Sequence, residues 1–137
     1  MLRAPDQVTL LGLVPEVGPT SGERFHDRSV AARGELVEAL ARNALAVALP
    51  QSFRRLQPDG LCFMPRHGFH LVRGDDVVEI VASFECERAE VHTSWGEQGA
   101  LGVDEAAQTQ FDAFFARAGV RRGRRAPPPG YAPEPEG

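Results

Sequence analysis

A chain of 137 residues has room for one hydrophobic core, and its 42% hydrophobic and 25% charged content is that of a globular protein. No apolar run is long enough to span a bilayer, and Met1-Leu2-Arg3-Ala4-Pro5-Asp6 lacks the basic start, apolar stretch and cleavage site of a secretory signal, so the expected location is cytoplasmic. The net charge of −4 is unevenly spread: residues 121–137 hold four Arg and two Glu, leaving residues 1–120 at −6, an acidic body ill suited to a phosphate backbone.

In chain order, Val8 to Val14 is an apolar run of strand length closed by Pro15, and Pro15 to Arg24 reads as a loop. Phe25 to Arg33 has the interrupted alternation of a second strand. From Glu35 to Leu49 the period lengthens. Leu36, Val37, Leu40, Ala41, Ala44, Val47 and Ala48 fall on one helical face, and Pro50 is expected to stop the helix. Gln51 to Gly60 is a polar connection.

Leu61 to His92 carries the strongest strand signals. A two-residue turn at Gly74-Asp75 would set Arg73 opposite Asp76, Leu71 opposite Val78 and Phe69 opposite Ile80, which puts four apolar side chains on one buried face. Arg88 to Thr93 extends this strand or begins another, and Trp95 to Gly102 reads as a glycine-rich loop. Asp104 is placed to cap the next helix, whose stripe of Val103, Ala107, Phe111, Phe114, Phe115 and Ala118 ends at Gly119.

These elements imply an α+β domain over residues 1–120, an antiparallel sheet with two main helices packed on it. Residues 121–137, rich in Arg and Pro, are expected to be a disordered tail. Its Arg121, Arg122, Arg124 and Arg125 offer at most weak, salt-sensitive contacts to nucleic acid. Its Pro128-Pro129-Gly130-Tyr131 matches the short pattern read by WW domains.

The usual nucleotide-, zinc- and hydrolase-type signatures are absent. What remains is Cys62-Phe63-Met64-Pro65-Arg66-His67-Gly68 facing Ser83-Phe84-Glu85-Cys86. Unbroken pairing sets Phe63 opposite Cys86, whereas a bulge near Pro65 and Gly68 would bring Cys62 opposite Cys86. Three readings stand. Both cysteines are small buried hydrophobes, as free Cys usually is. Alternatively, Cys62, Cys86 and His67 hold a metal, a set one ligand short of tetrahedral zinc. Or a cysteine nucleophile uses His67 as its base, with no third residue to orient it. Arg66 either holds exposed backbone carbonyls or receives a small anion. His70 is expected to be exposed, and His26 and His92 to be isolated.

The segments Cys62-Phe63-x-Pro65-Arg66-His67-Gly68 and Ser83-Phe84-Glu85-Cys86 resemble a group of small uncharacterised bacterial proteins with a CFxPRHG…CFxC pattern. The likeness spans roughly Phe25 to Val120 and is specific over the two motifs. It implies an α+β fold and carries no activity with it. Ser83 stands where that pattern has its first Cys, which counts against a metal role. The expectation is therefore a non-enzymatic binding or accessory domain acting on a protein partner, without metal or cofactor. The alternative is a thiol-dependent enzyme or metal-binding protein built on Cys62, His67 and Cys86.

Overall fold

The computed structural model describes residues 2–15, 22–57 and 62–120. The 121–137 tail, with its arginine cluster and PPxY-like segment, lies outside the described residues.

The strands are β1 (Gln7–Leu13), β2 (Arg24–Phe25), β3 (Arg28–Glu35), β4 (Phe53–Arg54), β5 (His67–Arg73), β6 (Asp76–Ser83), β7 (Arg88–Thr93) and β8 (Gln98–Val103). The helices are α1 (Ala39–Gln51) and α2 (Gln108–Arg117), the second entered through a short 3-10 turn at Glu105–Ala107. The strands form one antiparallel sheet in the order β2-β3-β1-β5-β6-β7-β8-β4. The α+β class expected from the sequence is observed.

The β5–β6 hairpin has the expected register, with Arg73 opposite Asp76, Leu71 opposite Val78 and Phe69 opposite Ile80. Those four apolar side chains are fully buried. With Val8, Leu10, Ala82 and Ala89 they form the sheet's first face, covered by Ala41, Leu45 and Leu49 of α1 and by Phe111 and Phe115 of α2. Asp104 caps as expected, accepting from the Ala106 N–H at 3.0 Å.

Four local expectations change. The Phe25–Arg33 strand is two strands, because His26 and Asp27 both adopt positive φ (48° and 67°) and make a tight turn between them. The Trp95–Gly102 loop is largely strand β8, paired to β7. The Gln51–Gly60 connection contains β4, which pairs with the last two residues of β8. Helix α1 begins only at Ala39, because Glu35 belongs to β3 and the Leu36 N–H donates to Val8 O. It runs one residue past Pro50, since Ser52 closes the last turn by donating its N–H to Ala48 and Leu49 and its hydroxyl to Leu49.

On the sheet's second face a smaller cluster of Leu11, Leu13, Phe25 and Val81 is buried. The β2–β3 turn folds over this face. Gly68 makes the approach possible: a Cβ there would lie 3.1 Å from the Phe25 ring and 3.2 Å from Leu11 Cβ. No helix among the described residues is long and apolar enough to cross a membrane.

Candidate functional site

The structure brings Cys62 and Cys86 together, as the bulged register would, by another route. The ladder ends at His67, opposite Ala82, instead of bulging. Pro65 has no N–H to offer a ladder, and residues 62–66 run on as irregular chain. That chain is pinned by the Leu13 N–H donating to Arg66 O and by the Met64 N–H donating to the Ser83 hydroxyl. Cys86 lies in the turn between β6 and β7, with its Cα 5.5 Å from that of Cys62, and the two sulfurs form a disulfide. Neither cysteine is a buried free thiol. Cys62 is exposed and Cys86 half-buried.

His67 is not part of a thiol cluster. As the first residue of β5 it points to the sheet's first face, is 2% exposed, and places Nε2 2.7 Å from Asp112 Oδ1 on α2. Its ring meets Phe84 and Phe115 edge-on at 4.9 and 4.8 Å. The metal reading of Cys62, Cys86 and His67 loses its ligands in this arrangement: the sulfurs are bonded to each other and the imidazole is engaged by a carboxylate. Among the described residues no group of three His, Cys, Asp or Glu is arranged to hold a metal ion. Arg66 pairs with Glu85 across the segment, which satisfies the charge that a small anion would have needed. Arg66 and His67 share the wall of a cavity of about 260 Å³ with Met64 and Gln108.

Sequence reasoning missed two surfaces. The first is on α1. The apolar arc of this helix is wider than one contact buries, and the core takes the Ala41, Leu45, Ala48 and Leu49 side. Val37, Leu40 and Val47, expected on the buried face, are 74%, 82% and 58% exposed. Leu40, exposed Ala44 and Val47 recur on α1 at steps of four and three residues, the spacing of a helical stripe, and Val37 lies two residues before the helix begins. Beyond Val47 the apolar surface continues past Pro50 into a groove of about 400 Å³ lined by Phe53, Val91, Trp95 and Leu101. Trp95 is itself 47% exposed.

The second surface is polar and lies on the sheet's second face. Register aligns Thr9, His70, Glu79, His92 and Gln98 in one row across five strands. The Glu79 carboxylate receives His70 Nδ1 at 2.7 Å through Oε2, and His26 Nε2 at 3.0 Å through Oε1. The His26 ring lies flat on His92, with centroids 4.0 Å apart and planes 9° from parallel. The three histidines expected to be exposed or isolated are therefore joined. Burial first, then the neighbouring His26, hold the His92 imidazole below the usual histidine range, against the opposing pull of Glu90 and Glu79. A row of alternating polar residues is the sequence signal for such a face, but His26 comes from a turn that the row does not contain.

No family profile, curated protein or solved structure matches this chain, so its chemistry is read from its own side chains.

Proposed function

We propose that the protein is a non-enzymatic binding or accessory domain that docks an amphipathic helix of a protein partner along α1. The carrying observation is the stripe of Leu40, Ala44 and Val47 on α1, with Leu40 and Val47 more than half exposed and Val37 exposed just ahead of the helix. Single exposed aliphatic residues are ordinary, but a run of them at helical spacing, continuous with an apolar groove, is the form that partner sites take. Apolar positions at i, i+4 and i+7 match the face that a second helix presents when it packs alongside. The charges near the stripe, Glu38 and Arg42, lie at its start and suit a polar rim.

The disulfide supports an oxidising compartment over the cytoplasm expected from the sequence, because disulfides are rare in a reducing one. Alkylation of Cys62 and Cys86 in the native host, before and after reduction, reads their state directly.

The test of the docking reading is capture from native-host extract by wild type and by a Leu40→Asp/Val47→Asp variant, with circular dichroism to confirm that both are folded. A partner held by the wild type and lost by the folded variant supports the reading. Equal capture by both, or none by either at physiological salt, removes it.

A further inference from the structure

The tip of the β2–β3 hairpin is held on the sheet through histidine side chains. Phe25 packs over Gly68 and Leu11, and His26 at the turn reaches across to β6 and β7. We propose that this tip is a pH-gated latch: it lies on the sheet while His92 is neutral, and it lifts when His92, stacked on His26, takes up a proton, uncovering Leu11, Leu13 and Val81.

The geometry allows the neutral state and penalises the charged one. Glu79 accepts from both His26 and His70, so one carboxylate serves two imidazoles. A positive charge on His26 or His70 would strengthen its pair with Glu79. A proton on His92 is opposed, because its ring lies face to face with that of His26 at 4.0 Å. His92 Nε2 is buried with no hydrogen-bond partner among the described residues, which suits a bare lone pair and not an N–H. The groups acting on His92 are His26 from the hairpin, Glu79 from β6 and Glu90 from its own strand, with His70 of β5 sharing Glu79. Gln98, beside it on β8, is neutral. Glu79 and Glu90 together supply two negative charges against three imidazolium charges, so full protonation leaves the site positive. Lifting the tip removes the facing ring and returns His92 to water. The lifted state therefore binds the extra proton, and its population grows as pH falls, by up to tenfold per pH unit when one proton is coupled. His92's depressed proton affinity, set by burial and by His26, agrees with this direction.

The reporter is the Val14 amide, whose N–H donates to Ser29 O at 2.9 Å and so ties the end of β1 to β3 beside the hairpin turn. Its hydrogen-exchange protection is measured on the full chain from pH 8 to pH 5, as a ratio to the unstructured rate so that the pH dependence of exchange chemistry cancels. The core amide of Ile80 serves as reference. In the wild type, Val14 protection should fall below pH 6.5 by up to tenfold per unit, while Ile80 remains much more strongly protected. His92→Gln should hold Val14 protection constant over the same range. His26→Gln, which removes the stacked ring, should lower Val14 protection at every pH and flatten its slope. Constant Val14 protection in the wild type overturns the latch, as does a wild-type slope that survives in His92→Gln. Should His92→Gln lose the Ile80 reference, an unchanged slope in His26→Gln overturns it instead.

Discussion

His67 Nε2 and Asp112 Oδ1 lie 2.7 Å apart and join the first residue of β5 to the middle of α2. The imidazole is 2% exposed and packed between the Phe84 and Phe115 rings, whereas the Asp112 side chain is 39% exposed. A histidine beside two cysteines in sequence suggests a base or a ligand. Here it is a polar element of the aromatic core, satisfied from the rim of the helix that covers it.

That placement sets a stability expectation. His67→Ala removes a buried ring together with its hydrogen bond and should cost about 2–4 kcal/mol. Asp112→Ala keeps the ring but takes away this acceptor, and about 1–3 kcal/mol is expected. Urea unfolding of both single variants and the double variant gives the coupling. Strict additivity would show that the pair contributes nothing jointly.

The aromatic stripe of α2 should be graded by burial. Phe111 and Phe115 are 0% and 1% exposed and pack on Phe69 at 5.6 Å, so truncating either to Ala should cost about 3–5 kcal/mol. Phe114 is only half-buried and should cost less. Equal losses at all three positions, read from denaturant midpoints at constant slope, would contradict this packing.

The contrast between the two helices explains what was legible in the sequence. The α2 stripe is flanked by polar residues, so its period points to one buried side, and the sheet takes that side. In α1 the apolar residues continue around most of the circumference, and only the packed sheet decides that Leu45 goes in and Leu40 stays out. Strand β8 was hidden for a different reason. Its Gly99 and Gly102 carry no strand preference, yet a Cβ at Gly102 would stand 2.6 Å from Arg55 O, so close backbone approach selects glycine there. The β5–β6 hairpin was legible because turn residues and alternation agreed. The histidine site was not, because His26, His70 and His92 are brought together by sheet register and a folded-over turn, neither of which is local in sequence.

The Cys62–Cys86 bond closes a loop with a sequence separation of 24 around the β5–β6 hairpin. By the chain-entropy account, such a loop stabilises the fold by about 3 kcal/mol through restriction of the unfolded chain. Unfolding with and without a reductant should differ by that order, and Cys86→Ser should reproduce the reduced behaviour. The fold itself should survive, because Arg66 O, Met64 N and the Arg66–Glu85 pair also hold the segment. Identical stability of the oxidised and reduced forms would mean that the bond restricts nothing the unfolded chain would otherwise explore.

The last expectation concerns global stability against pH. His92 is held below its ordinary value of about 6.5, chiefly by burial and then by the charge of His26. As pH falls, the unfolded chain takes up a proton at that position before the folded protein does. Its contribution to stability is therefore complete above about pH 6.5 and is lost as pH falls from there through the lower folded value, with no further change below it. Carboxylates that titrate at lower pH add their own dependence, so the informative quantity is the difference between wild type and His92→Gln. Thermal or urea unfolding at half-unit steps from pH 8 to pH 4.5 should show the two curves converging as the medium becomes acidic. The wild type should have the steeper loss just below pH 6.5. A difference that is constant across the range would mean that His92 titrates alike in the folded and unfolded chain. A wild type that gains stability relative to His92→Gln on acidification would mean that Glu79 and Glu90 outweigh burial and the stacked ring of His26.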